Sequence, residues 1–334
     1  MTAPRKHPAR RHLTRADLAP LARAAAGGHR TLAAVTRLHG GTKKGVYRLA
    51  FDDDSTAVAY VWSPDEDYWD AAPPDLRDPF SHGTGLDLLT AAHDRLTAAG
   101  VRTPRLLHAD ATHTHLPADA AIVEDVTGGS LEEALDRDPE AGAEALARLA
   151  EQLTALHAHE GPTFGKVAAV DNGVAPDAGS CEQRVTDGAL RDIEEIAVRD
   201  PRAAAARDQL ADAVRSSASE VRPRTRHTLI HGELGPDHVL LTPDGHPALI
   251  DIEGLLYFDV EYEHVFLELR FGPHYDALRT PGLDEDRLRL YGLAMHLSLV
   301  AGPLRLVEGD FPNPGWMREI AEYNLLRALE FVAR

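Results

Sequence analysis

The chain is poor in cysteine, in lysine and in net positive charge. Of its 334 residues one is cysteine, Cys181. A single thiol cannot close an internal disulfide, and without a CxxC partner it offers no zinc site. The setting expected is a reducing cytoplasm. Lysine occurs four times, as Lys6, Lys43, Lys44 and Lys166, while arginine and alanine are plentiful. That skew reads as a GC-rich coding bias and by itself excludes no function. The net charge of -18 repels nucleic acid and anionic membranes and attracts cationic partners. No apolar run is expected to be long enough to cross a bilayer. The basic N-terminus, MTAPRKHPARRHLTRADL, has no apolar stretch behind it, so a solvated arm is expected rather than a signal peptide. The bulk is ordinary: 43% hydrophobic and 26% charged residues suit a globular protein with a sizeable core.

Punctuation and periodicity divide the chain. TRADLAPLARAAA begins with a Thr cap and ends at Gly27-Gly28, which predicts a short helix over residues 14–26. LAAVTRLHGGTKKGVYRLAFDDDSTAVAYVW then predicts three strands, near residues 32–38, 46–51 and 57–62, with DDDS as a turn. A Pro- and Asp-rich loop follows. GLDLLTAAHDRLTAAG aligns Leu86, Leu89 and Leu96 on one helical face. Leu106-Leu107 and residues 120–124 read as two more strands. Past EDVTGGSL, with Gly128 and Gly129 as a hinge, Leu146, Leu149, Leu153 and Leu156 form one stripe, the mark of a buried helix. Residues 168–226 read as mostly helical, HVLLTPDGHPALIDI as a hairpin turning at PDGH, and the remainder from about Glu261 as helical.

The chemistry concentrates in HGELGPDHVLLTPDGHPALIDIEG. An acid in a loop, Glu233, precedes a hairpin, and a second acid, Asp251, ends its return strand. That arrangement brings two carboxylates to one cleft. One can take a proton from an attacking hydroxyl, and the other can hold a metal ion on a polyphosphate. A Gly-rich turn between strands, HGGTKKG, contains Gly40, Gly41, Lys43 and Lys44. Its backbone N–H groups can approach phosphates, although it lacks the GK[ST] order of a Walker loop.

In this order the motifs resemble the aminoglycoside phosphotransferase and choline-kinase branch of the protein-kinase-like fold, over about residues 30–270. The resemblance implies a two-lobed α+β protein. Its N-terminal lobe (1–126) would be a small antiparallel sheet with a helix, and its C-terminal lobe (127–334) would be larger and mainly helical. It further implies ATP or GTP bound between the lobes, a divalent metal (Mg²⁺ or Mn²⁺), and phosphate transfer to a small hydroxylated acceptor such as an antibiotic. The adenine would meet the hinge backbone from Glu124 to Val126. Glu233 would deprotonate or orient the acceptor hydroxyl, His231 would brace the loop, and Asp251 would hold the metal.

The departures from that family are specific. The family motif HGD reads HGE here, and His238 stands where the family has a metal-binding Asn. A histidine there is a candidate metal ligand that favours Mn²⁺, or a phosphate contact. The third strand lacks the family's lysine, with Tyr60 and Trp62 at the plausible positions. Lys43, Lys44 or Arg48 could stand in for it, and Asp87 is the nearest candidate for its helix acid. Asp259 and Glu263 match the later acid pair that braces the loop. Acids persist at 233, 251, 259 and 263, which favours a rearranged working site. The alternative is a non-catalytic nucleotide- or ligand-binding protein, favoured by the missing lysine and by His238. Zinc at His227 and His231 is disfavoured, because on a strand that spacing does not mimic a helical pair. His264 reads as a core histidine, and the aromatics of YVWSPDEDYW read as a packed anchor.

Overall fold

The structure is a computed structural model, and it describes residues 10–38, 41–69, 75–81, 84–174, 176–177 and 179–333. Gly40 and Lys6 lie outside the described residues. The arm expected to be solvated is tethered where it enters view. Arg10 forms a paired contact with Asp310 at 2.7 Å and also donates to the Pro64 and Asp67 carbonyls.

Helix α1 (Arg15–Ala26) starts with a full capping box between Thr14 and Asp17 and stops at Gly27 in the left-handed conformation, as its punctuation predicts. Strands β1 (Leu32–Arg37), β2 (Gly45–Phe51) and β3 (Thr56–Trp62) follow. The DDDS turn places Asp54 at φ 62°, a conformation that Asp tolerates. Helix α2 (Leu86–Ala98), β4 (Leu106–Asp110) and β5 (Asp119–Glu124) complete an antiparallel sheet of order β1-β2-β3-β5-β4. Leu18, Leu21, Tyr47, Leu49, Ala59 and Ile122 fill the core between α1 and this sheet.

The chain then runs through α3 (Leu131–Arg137), α4 (Pro139–His157), β6 (Glu160–Gly161), β7 (Gly165–Lys166) and α5 (Val167–Asp171) to the long helices α6 (Cys181–Arg199) and α7 (Pro201–Glu220). The leucine stripe of α4 is buried throughout. Strand β8 (His227–Ile230) leads into the hairpin β9 (Val239–Leu241) and β10 (Pro247–Leu249), and β11 (Leu256–Phe258) follows. Strands β6, β8, β11 and β7 form a second small sheet in that order. Helices α8 (Val260–Phe271), α9 (Glu285–Glu308) and α10 (Pro314–Val332) close the chain. They pack with α6 and α7 around Ile193, Leu210, Val214 and Leu293.

One reading of the sequence needs correction. Helix α9 is long and apolar enough, by length and composition, to cross a membrane. Here its buried residues pack in the core shared with α6, α7 and α10.

Two features hold the halves together. A second core cluster joins Leu86, Leu89 and Leu96 of α2 to Leu149 and Leu153 of α4 and to Leu229 and Ile252, so it crosses the boundary expected at residue 126. The segment after β3 also reaches the far helices. Tyr68 and Trp69 pack against Leu306, Phe311 and Met317, which makes these aromatics a packed anchor. The hinge expected at Gly128 is stapled to the hairpin by Gly128 N–H to Leu241 O and Leu241 N–H to Gly129 O, each 2.8 Å. A Cβ on Gly128 would collide with the carbonyls of Leu241 and Thr242, so that close approach requires glycine.

Candidate active site

Strand β8 delivers His231 at its end, and the chain turns there because Gly232 adopts φ 86°, a conformation open to glycine. His231 is buried. Its Nε2 lies 2.9 Å from the Ile250 carbonyl. A carbonyl only accepts, so Nε2 carries the proton and Nδ1 accepts from the Glu233 N–H at 3.4 Å. The fully buried Glu263 takes the His231 N–H at 2.5 Å and the Gly232 N–H at 3.4 Å. Burial opposes its charge, but the His157 and His231 contacts prevail and hold its carboxyl below the usual range. Glu263 is thus the brace of the loop. Asp259, expected to share that task, is instead tied to Arg287 and Tyr291 in the helical core. The loop so fixed leaves the Glu233 side chain exposed.

His238 is turned toward the same loop. Its Nδ1 lies 2.8 Å from the Glu233 carbonyl and therefore donates, and its ring stacks on His231. Only Nε2 remains for a ligand, 3.8 Å from the Asp237 carboxylate. Asp237 is itself bound to Arg270 at 2.6 Å.

The hairpin returns the chain to Asp251, which sits at φ 57° and ψ 44°. This left-handed conformation is uncommon for non-glycine residues, although aspartate, as at Asp54, adopts it more readily than most. The side chain is 45% exposed. Across the cleft comes Lys44, from the turn before β2. That turn is held by a Tyr68 N–H to Thr42 O bond of 2.9 Å. Lys44 is buried, and its Nζ lies 2.8 Å from Asp251 Oδ1 and 2.5 Å from Glu253 Oε1. It also sits 5.2 Å from the centre of the Tyr60 ring. The Lys44 ammonium holds the Asp251 carboxyl well below the carboxylate range. Burial opposes the charge on Lys44, but the two acids outweigh it and keep the ammonium protonated above the ordinary lysine range. Tyr60, pushed up by burial to about 12, stays neutral.

Of the candidates to replace the third-strand lysine, Lys44 therefore stands beside Tyr60 with its charge on the acid pair. Arg48 instead binds Asp125 at 2.8 Å. Lys43 is half-buried nearby, and its charge acts on Asp251. Asp87 is exposed and has no ion-pair partner among the described residues. Gly41 belongs to the same turn. The Glu124 carboxylate is engaged by Arg102 and Arg105. Val126 is buried, and its N–H has no backbone acceptor among the described residues.

Sequence reasoning missed Glu253. The signal was the DIEG phrase, in which a second acid follows Asp251 by two residues. The 3₁₀ turn Ile252–Gly254 buries it under the cleft, with Oε2 unpartnered among the described residues. It also missed the segment 75–81, where Phe80 packs on Phe258 and Tyr262 at 5.2 and 5.1 Å.

The acid pair is suited to a hard cation. Two carboxylates converge on one ammonium, a stand-in for a metal, and Oε2 of Glu253 is spare. Among the described residues no three His, Cys, Asp or Glu side chains converge on a metal position. Further ligands would therefore come from phosphates and water, the usual pattern for Mg²⁺.

Comparison with known proteins agrees with this geometry. A family model described as the phosphotransferase enzyme family matches residues 85–298. No curated protein matches the sequence. Among solved structures, a thermostable mutant of aminoglycoside phosphotransferase APH(4)-Ia in its apo form aligns with a TM-score of 0.60 at 18% identity, over 89% of this chain and 95% of that one. Spectinomycin phosphotransferase APH(9)-Ia, in complex with ADP and spectinomycin, aligns with a TM-score of 0.61 at 10% identity, over 95% and 97%. A putative fructosamine-3-kinase from Thermobifida fusca aligns with a TM-score of 0.55 at 17% identity, over 94% and 98%. The fold is the α+β kinase-like fold of these proteins, with its five-stranded antiparallel sheet and largely helical C-terminal part.

Proposed function

Because the chain belongs to the phosphotransferase enzyme family, we propose that it transfers the terminal phosphoryl group of ATP or GTP to a hydroxyl of a small, cationic, hydroxylated molecule. The observation that carries this reading is the meeting of Lys44 with Asp251 and Glu253 beneath the Glu233 loop. A phosphate-seeking cation meets a metal-seeking acid pair there, and an exposed acid, Glu233, stands on the loop that His231 and Glu263 brace.

In this reading the acceptor oxygen bonds to the terminal phosphorus as the bond to the nucleoside diphosphate breaks, and the hydroxyl proton passes to Glu233. Asp251 and Glu253 would hold a divalent cation, which when bound would neutralise polyphosphate charge. Lys44 exchanges its carboxylate contacts for phosphate oxygens, and the Val126 N–H meets the base. His231 and Glu263 fix the loop so that Glu233 keeps its aim. Positioning and charge stabilisation are most of what such a transfer requires of a protein.

The acceptor class follows from charge. Tyr262 lies in the electrostatic field of both Glu233 and Asp192 and packs on Phe80. Acids beside aromatic faces suit an amine-bearing ligand. Structural relatives were solved with hygromycin B, kanamycin and spectinomycin, and an antibiotic of that chemical kind is the acceptor proposed here.

The test is phosphate transfer from ATP and GTP, with Mg²⁺ or Mn²⁺, to a panel of hydroxylated amines, for the wild type, Glu233→Ala and Asp251→Ala. Transfer that is lost in both variants supports the reading. Nucleotide binding that needs Asp251, without turnover, would replace it with a binding protein. Turnover unaffected by either substitution would move the active site elsewhere.

A further inference from the structure

Of the three lysines among the described residues, two come from the Gly-rich turn. The third, Lys166, ends β7 in the opposite half of the molecule. It pairs in register with Leu256 of β11, five residues beyond Asp251. It is 6% exposed. Its only hydrogen bond among the described residues runs from Nζ to the Ser81 carbonyl, at 2.5 Å, and no carboxylate of the described residues lies within ion-pair distance. Lys44, equally buried, has two carboxylates. A buried ammonium with one neutral acceptor and two idle donors is costly, and a chain with four lysines has placed one there.

Its surroundings indicate what would satisfy it. Lys166 lies in the electrostatic field of Glu233 and Asp78, and of Lys43 across the cleft. Lys43 acts in turn on Asp251. Lys166 is therefore within electrostatic reach of both the proposed base and Lys43. The group that would satisfy its two idle donors is an anion. We propose that Lys166 is a phosphoryl-binding residue: it donates to the terminal phosphate of the nucleotide and stays with that group as it passes to the acceptor hydroxyl. This rests on the reading of the cleft as a nucleotide site. Together Lys44, Lys43 and Lys166 supply from both halves the charge that the third strand lacks. Burial, and after it repulsion from Lys43, bring the free amine down to about 8. An anion bound beside it would favour the charged form and raise that value.

Calorimetry with ADP and with the non-hydrolysable analogue AMP-PNP, at pH 7 with Mg²⁺, tests the assignment. The wild type should bind AMP-PNP more tightly than ADP. Lys166→Met should weaken AMP-PNP about ten-fold or more, the worth of one charge-assisted hydrogen bond. It should leave ADP within about two-fold and the unfolding temperature no lower, whereas Lys166→Arg should retain the preference. A variant that keeps the preference, or loses both nucleotides equally, overturns the role. A wild type that binds neither overturns the nucleotide reading itself, a failure seen before any substitution. Should Lys166→Met not fold, the wild type still answers by NMR of isotope-labelled lysine. The Lys166 amine should titrate below the ordinary lysine range, shift upward with AMP-PNP and not with ADP. An unmoved resonance would refute the contact.

Discussion

Lys44 and Asp251 are 207 residues apart in sequence, yet their ammonium and carboxylate meet at 2.8 Å. The contact joins the Gly-rich turn to the end of the hairpin, and Glu253 closes it into a triad. Its consequence is competition. A metal ion at Asp251 and Glu253, and a phosphate at Lys44, each displace the same ion pair, so both should bind better together than alone. Lys44→Met should therefore tighten Mn²⁺ binding in the absence of nucleotide, because two carboxylates lose their internal cation. It should also cut phosphate transfer on the order of a hundredfold, the scale for one preorganised charge. Mn²⁺ titration by electron paramagnetic resonance, beside turnover assays, checks both arms. Weaker Mn²⁺ binding in the variant would contradict the competition.

The same pair fixes a pH window. The folded-state pKa of Asp251 lies below the unfolded value of about 3.9. Its stabilisation is therefore complete above that value and is lost as pH falls below it. The folded-state pKa of Lys44 lies above about 10.4, so its share is complete below that pH and is lost above it. From about pH 5 to 9 the stability difference between wild type and Asp251→Asn should be flat, and it should narrow as the pH drops below about 4. Urea unfolding across pH 3 to 9 measures this. A difference that changes near neutrality would assign the titration to another group.

Much of this site was legible because its parts are local. The capping box at Thr14, the DDDS turn and the PDGH hairpin are short-range chemistry, and each formed where its residues predicted. The acids at 233 and 251 were legible because one hairpin joins them. The partner of Lys44 was not, since nothing within a few residues of it predicts a carboxylate two hundred positions away. Strands β6, β7 and β11 are two or three residues long, too short to show a period, and with them went any sign that Lys166 is buried against the Ser81 carbonyl. The roles of Asp259 and Glu263 were read as a pair, but burial separates them. Glu263 meets the loop amides, while Asp259 meets Arg287, whose position on α9 no local pattern reveals.

Glu263 gives a prediction about positioning. Its carboxylate takes the His231 and Gly232 amides in a site with no water access of its own. Glu263→Ala strands those donors and should cost roughly 1–3 kcal/mol of stability. It should lower kcat more than it raises KM, because the Glu233 loop loosens. Glu263→Gln keeps an accepting oxygen and should recover most of both. Denaturant unfolding with steady-state kinetics decides. A loss of stability with kcat intact would make the residue purely structural.

The last prediction concerns Glu233, at a position where the resemblance leads one to expect aspartate. Were Glu233 a damaged aspartate, Glu233→Asp would restore the family motif and raise activity. The geometry argues otherwise. His238 donates to the Glu233 carbonyl, where the family's asparagine would stand, and its ring stacks on His231. The loop backbone is thus set by a larger side chain, and the proposed base role asks the longer acid arm to reach the acceptor from it. Shortening that arm by one methylene retracts the carboxylate by about 1 Å, a displacement worth roughly a hundredfold in rate. Glu233→Asp should therefore lose activity, with nucleotide affinity unchanged because in the proposed role the side chain serves the acceptor and not the nucleotide. The double variant Glu233→Asp, His238→Asn should recover part of the loss, since it restores both members of the family pair together. Single-turnover transfer rates for the two singles and the double form a complete cycle. A gain in the aspartate single variant would show that the loop never adapted to glutamate.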